Sequence, residues 1–348
     1  MRMRKTAALA AFLLAMGLAL GGCGKKEASN ELNLFNWSEY LPQELIEKFE
    51  EETGVRVNYN TYSSNEEMLA KIMTAPGMYD IAVSTDYMVD IMIQQKLLEE
   101  IGLEGIEGVE NLGANYLDLA FDPGNRYSLP YMAGTALLAV NTSKVDFDIE
   151  EYADLWNPAL ENSIVVLDDQ RAVMGLALKK LGKSINETDP GVLEAAAREL
   201  AALKPNIKAF DSDSPKSLLI SGEVSVGYVW NAEAVMAQKE NPDIKIVMPE
   251  EGLYLWQDNF VIPKGAPNAE NARKFISFML RPENSKICSD SFPYTNPNAA
   301  ALELIDEETR NNPGIYPDDS VYAQGEFLVD VGETTVVYDK IWTDFKQQ

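Results

Sequence analysis

The chain of 348 residues contains no histidine at all. That absence excludes a Ser-His-Asp triad, an HExxH zinc site and any mechanism built on an imidazole base. Its two cysteines, Cys23 and Cys288, are too few for a cysteine-rich zinc site. Basic residues are scarce as well: 29 Lys and Arg stand against 55 Asp and Glu, a net charge of −26 that disfavours nucleic acid phosphates as a partner. Apolar residues make up 46% of the chain, enough for sizeable cores, so disorder throughout is excluded. With a mean hydropathy of −0.19 and no long apolar run past the first twenty residues, a polytopic membrane protein is excluded too. What remains is an acidic body, long enough for two domains, whose partner is neutral or cationic.

The beginning of the chain reads as an address. Arg2, Arg4 and Lys5 form a basic region, Ala7 to Leu20 is a short apolar run, and Leu20-Gly21-Gly22-Cys23 follows directly. This order is that of a secretory signal, residues 1–22, and its last four residues resemble the lipobox of bacterial lipoproteins, in which the cysteine is acylated. Residues 23–31 are then a small polar tether. Cleavage before Cys23 removes three bases and no acid, deepening the charge to −29. With Cys23 lipidated, Cys288 has no partner for a disulfide and reads as a buried apolar filler near a helix end.

From Glu31 onward, short apolar runs alternate with amphipathic segments. Leu32 to Phe35, Val55 to Tyr59 and Asp80 to Val83 read as strands. Between and after them Pro42 to Glu52, Ser64 to Met73 and Tyr87 to Gln95 read as helices, the first stopped by Gly54. A second series has strands at 136–140, 164–167, 224–229 and 244–247, with helices at 170–181, 191–203 and 215–220. Ser214 is the expected N-cap of the last of these, and a helical tail is expected over 321–345. Such alternation implies an α/β fold of parallel sheets covered by helices, here as two lobes joined by crossing strands.

Nucleotide signatures fail. Gly182-Lys183-Ser184 follows a helix where a phosphate loop precedes one, and Gly102, Gly105 and Gly108 do not make the dinucleotide fingerprint. No cofactor and no metal is expected. The informative feature is the placement of aromatic and acidic residues at strand ends, where open α/β sheets bind their ligands. Trp37-Ser38-Glu39-Tyr40 follows the first strand, Thr85-Asp86-Tyr87 the third, Asp168-Asp169 the strand ending at Leu167, and Trp230-Asn231 that ending at Val229. Trp256-Gln257-Asp258 falls at the crossing between lobes. Carboxylates pair with charged nitrogens while indole and phenol faces cover methylenes, so the set suits an alkyl ammonium. Taken singly, Trp37 and Trp230 also read as core aromatics, Glu39 as a helix-dipole charge, and Asp86 and Asp169 as N-caps.

These residues, with Asn36, Tyr79-Asp80, Phe121-Asp122-Pro123, Asp154 to Pro158, Arg171, Arg281-Pro282 and Pro297-Asn298, resemble the bacterial spermidine/putrescine-binding proteins, receptors of polyamine ABC importers. The resemblance runs from Leu32 to Phe345. It implies a two-lobed periplasmic binding protein fold of type II with the ligand cleft between lobes. Lobe 1 would hold residues 31–134 and 259–310, lobe 2 would hold 135–258, and 311–348 would be a helical tail packing across them. It implies a polyamine ligand (spermidine, putrescine or both), an ABC permease as partner, a monomer lipid-anchored outside the cytoplasm, and no enzyme activity. The implied pocket is Trp37, Ser38, Glu39, Tyr40, Thr85 and Tyr87 from the first lobe, Asp169 and Trp230 from the second, Trp256 and Asp258 from the hinge, and Tyr294 from the return. Glu39, Asp169 and Asp258 would pair with nitrogens. Two positions depart from the pattern: Ala172 stands where spermidine-binding members carry an acid, and Leu328 where many carry an amide. The residues leave room for another solute such as a sugar, for an exported carboxylate-based hydrolase, and for a sensor or adhesin.

Overall fold

The computed structural model describes residues 30–347; the segment read as a signal, the expected lipidation site Cys23 and most of the expected tether lie outside the described residues. Three parallel strands open the fold: β1 (Glu31–Trp37) lies between β2 (Arg56–Tyr62) and β3 (Ile81–Thr85). A second parallel set places β6 (Ile164–Val166) between β7 (Ile207–Phe210) and β8 (Val226–Trp230). Two long antiparallel strands join them. These are β5 (Ser128–Asn141), which pairs with β8 and with β9 (Ile244–Val247), and β10 (Tyr254–Pro263), which pairs with β3, with β5 and with the two-residue β4 (Leu98–Glu99). Every residue of both is buried, because they run through the middle of the molecule with helices on either face. The result is two α/β lobes on one continuous sheet path, with a cleft at their strand ends.

The helices follow from amphipathic spacing and local caps. Gln43–Thr53 buries Leu45, Ile46 and Phe49 and stops at Gly54, whose φ of +67° is the left-handed turn that favours glycine. Ser64 caps Asn65–Thr74 by accepting the Glu67 N–H at 3.1 Å. Asp169 caps Gln170–Lys180 and Asp189 caps Pro190–Leu203 in the same way. Gly182 ends the former in the left-handed region, so Gly182-Lys183-Ser184 is a helix stop. Among the described residues no helix is long and apolar enough to cross a membrane. Cys288 is buried in the helix Pro282–Ser291 with Sγ 3.5 Å from the Tyr131 hydroxyl, and burial pushes its thiol up to about 12, far from reactive.

Four sequence expectations are corrected. The crossing strand starts at Ser128 and not near Thr135. It accommodates Pro130 because the register against β10 shifts between Asp258 and Asn259, a bulge where proline is tolerated. Ser214 is not the cap of the short helix, which runs Lys216–Ile220 after Pro215; Asp211 Oδ1 instead holds the N–H groups of Asp213 and Ser214 in a side-chain turn. Asp86 is not an N-cap but the first residue of Asp86–Gln94. The tail is broken: Asp319–Tyr322 is one short helix, Glu326–Phe327 pairs in parallel with Tyr254–Leu255, and Thr335–Gln347 is the final helix. Gly325 is required before the added strand, since a Cβ there would meet Leu255 Cγ at 2.6 Å. The final helix packs on Gln170–Lys180 and Pro190–Leu203, with Phe345 ring to ring with Phe210 and the Tyr338 hydroxyl donating to Glu187 O at 2.8 Å.

Candidate functional site

The strand ends of both lobes converge on one cavity of about 60 Å³, room for a few waters, so a guest must shed most of its hydration to enter. Trp37 reaches it from the end of β1, Ser38, Glu39 and Tyr40 from the turn that follows, Thr85 from the end of β3, Asp169 from the turn after β6, and Trp230 from the end of β8. Trp256 and Asp258 enter from β10, and Tyr294 from the loop after Pro282–Ser291. Of the sequence-derived set only Tyr87 is not on the wall. It stands behind it, its hydroxyl taking a hydrogen bond from Asn65 Nδ2 at 3.2 Å and donating to Glu66 Oε1 at 3.3 Å.

Asp258 is enclosed in the cavity wall, 5% exposed. Thr85 Oγ1 donates to its Oδ1 at 2.7 Å, and Asn65 Nδ2 donates to Thr85 Oγ1 at 3.0 Å, so a relay of neutral donors fixes the carboxylate. This also explains why Thr85, at the N-cap position of Asp86–Gln94, makes no side-chain cap. Burial raises Asp258 to about 6 even though the Thr85 hydroxyl favours its charged form. The Tyr40 hydroxyl and the indole N–H groups of Trp37 and Trp256 are buried with no hydrogen-bond partner among the described residues. Asp169 is likewise raised by burial, although its Oδ1 accepts the Ala172 N–H at 2.8 Å and Arg171 lies nearby. It is both the helix N-cap and a cavity wall. Asp86, pushed up to about 8 by burial, is kept from the cavity; its oxygens accept the N–H groups of Tyr87 at 2.6 Å and Gln257 at 2.9 Å.

The aromatic wall is built edge to face. Trp230 and Trp256 have centroids 5.9 Å apart at 77°, Trp256 and Tyr294 5.2 Å at 74°, and Tyr40 and Tyr294 5.4 Å at 73°. Trp256 lies over Gly134, its partner across the strand pair, where nothing larger fits: a Cβ would come within 2.5 Å of Trp256 Cζ2 and closer still to Asn231 Oδ1.

Sequence reading missed Ser63, Asn65, Ser212, Asp213, Glu233 and Tyr254, which also line the cavity. Ser212 and Asp213 follow β7 and obey the same strand-end rule, and Glu233 lies three residues past Trp230, one helical turn on. Glu233 is 4% exposed; burial raises its carboxyl, opposed by the Lys216 ammonium 2.9 Å away. Glu39 adopts a φ of +46°, uncommon for a residue other than glycine, and so stands half out of the cleft. A wider groove of about 630 Å³ adjoins the cavity through Ser63, Asp169, Ser212 and Asp213, and carries Glu66, Asp168, Asp211 and Asp339 on its walls. Its negative field concentrates cations at the mouth. Among the described residues no group of three or more cysteine and acidic side chains is placed to hold a metal ion.

Two lobes, a hinge of crossing strands and an acid-and-aromatic cavity between strand ends define a ligand-binding receptor. Comparison with known proteins agrees. Residues 44–317 match the family model of the bacterial extracellular solute-binding proteins. The chain is 40% identical over 338 residues to the spermidine/putrescine-binding periplasmic protein of Salmonella typhimurium, covering 96% of this chain and 97% of that one. Among solved structures, it resembles a spermidine/putrescine ABC transporter substrate-binding protein from Streptococcus pneumoniae, at 39% identity and a TM-score of 0.77, covering 91% of this chain and 98% of that one. It also resembles a lipoprotein of Treponema pallidum, at 31% identity and a TM-score of 0.80, covering 91% and 100%. The chain belongs to the family of bacterial extracellular solute-binding proteins, in the group of the spermidine/putrescine-binding proteins. It is a solute-binding protein and not an enzyme.

Proposed function

We propose that this protein captures a linear polyamine outside the cytoplasm and delivers it to an ABC permease, held to the membrane by a lipid on Cys23. The observation that carries the reading is the pair Asp258 and Asp169, presented from two sides of one aromatic-walled cavity and both destabilised as anions by burial. Such acids are relieved by a cation that brings its own apolar chain, which Trp230, Trp256 and Tyr294 cover. The names of the Salmonella and Streptococcus relatives support the same ligand class and an ABC system, and that of the Treponema relative supports a lipid anchor. In this reading the hinge lies where β5 and β10 cross, near residues 134–135 and 258–259. Closure brings residues 31–134 and 259–310 against 135–258.

Calorimetry of the detergent-solubilised full-length protein, freed of amines, tests it with putrescine, spermidine, a sugar and a neutral amino acid. One-to-one binding of the amines alone, surviving physiological salt, is expected. Binding of the sugar with no response to either amine would sink the proposal. The acids also set a pH dependence. A bound ammonium stabilises the Asp258 carboxylate and lowers its pKa below the value near 6 of the free protein, so protons compete with the ligand below that pH. Affinity should therefore be level above pH 7 and fall by up to about tenfold per unit below pH 6 for each acid protonated. A flat profile from pH 7.5 to 5 would remove Asp258 from the ligand's contacts.

A further inference from the structure

One ammonium already bridges two acids of the cavity wall from beside it. Lys216 opens the short helix Lys216–Ile220 in the second lobe, and its Nζ lies 2.9 and 3.1 Å from the two carboxylate oxygens of Glu233, which is nearly sealed from solvent. The backbone N–H of Lys216 adds a hydrogen bond to Glu233 Oε2 at 3.3 Å, fixing the stem as well as the head. From that seat Nζ reaches the first lobe, 3.1 Å from Glu39 Oε2. Among the ion pairs of the described residues, it is the only one joining residues 31–134 or 259–310 to residues 135–258. The side chain itself is 20% exposed, so the pairing with Glu233 is not a solvated surface contact. Glu39 and Glu233 both line the cavity. The lysine head is therefore placed as a guest nitrogen would be, bridging carboxylates of both lobes.

The consequence is a charge count. The cavity wall carries the enclosed acids Asp169, Glu233 and Asp258 and the half-exposed Glu39, with Asp213 exposed at the rim. Lys216 takes Glu39 and Glu233, leaving Asp169 and Asp258 for the guest. Resting on the polyamine reading above, we infer that Lys216 is a specificity-determining residue, a tethered ammonium that fills the third cation position and selects a guest with two charged nitrogens over one with three.

The test is the ratio of putrescine to spermidine affinity, measured by calorimetry on the full-length protein in detergent. The unaltered chain is expected to bind putrescine at least as tightly as spermidine. Lys216→Met should shift the ratio toward spermidine by about tenfold or more, as a third charge-assisted pair becomes possible. Because that change leaves Glu233 buried without its cation, the charge-balanced double variant Lys216→Met with Glu233→Gln is measured beside it; Glu39 is free in both, and the shift should persist. Lys216→Arg keeps a cation in place and should hold the original ratio. A ratio that moves less than about threefold in both methionine variants, with putrescine still bound, overturns the role of Lys216 and leaves the polyamine reading standing. An unaltered chain that binds neither amine overturns both.

Discussion

Asp258→Asn is expected to weaken polyamine binding by about 3–5 kcal/mol, the loss measured when one partner of an enclosed ion pair is removed. The substitution keeps the shape, and Thr85 Oγ1, now 2.7 Å from Oδ1, still has an acceptor. What disappears is the charge. In the ligand-free protein that charge is unfavourable, since burial has raised the carboxyl to about 6. A group raised in this way removes stability as pH climbs through the interval from its unfolded value to its folded one. The asparagine variant should therefore be at least as stable as the parent at pH 7 while binding far more weakly. Calorimetry and thermal unfolding on the same sample separate the two effects. Binding that survives the change, or binding and stability lost together, would make Asp258 a structural residue.

The second large effect is expected at a residue with no side chain. Gly134→Ala places a methyl against the Trp256 ring and the Asn231 carbonyl oxygen. Neither can yield freely. Trp256 is 5% exposed and held edge to face by Trp230 and Tyr294. Asn231 is fully buried, accepting the Thr135 N–H at 3.2 Å and donating to Gly314 O at 3.0 Å. Overpacking of this kind costs about 1–3 kcal/mol of stability. Since the displaced ring is a wall of the cavity, affinity should fall further, by about ten- to a hundredfold, as misplacement of about 1 Å does elsewhere. Equilibrium unfolding and ligand titration of the variant check both numbers. Unchanged affinity would mean that the Trp256 face does not meet the ligand.

The cavity lining was legible where a strong strand pattern ended in a short polar or aromatic turn. Leu32 to Phe35 before Trp37-Ser38-Glu39-Tyr40, Ile164 to Leu167 before Asp169, and Val224 to Val229 before Trp230 each announce both the strand and its cavity-facing end, the last beginning two residues early. The same rule failed at Ser212 and Asp213 because β7, only four residues with three of them not fully buried, has no clear alternation to mark it. Asn65 and Thr85 act through a relay assembled from two helix starts, and Tyr87 supports that relay from behind. No local spacing encodes such a chain. Nor does any local pattern join Lys216 to Glu39, 177 residues away. Pro130 and Gly134 signal breaks locally, so the sequence pattern does not carry the crossing strand back to Ser128. In the fold one of them meets a bulge and the other makes room for an indole.

A crystal structure of the full chain crystallised with putrescine would test the central claim most directly. The account predicts one nitrogen within hydrogen-bond distance of Asp258, the other at Asp169, the four methylenes against Trp230 and Trp256, and Lys216 still bridging Glu39 and Glu233. Putrescine found only in the outer acidic groove beside Asp168 and Asp211, with nothing but solvent in the aromatic cavity, would contradict it.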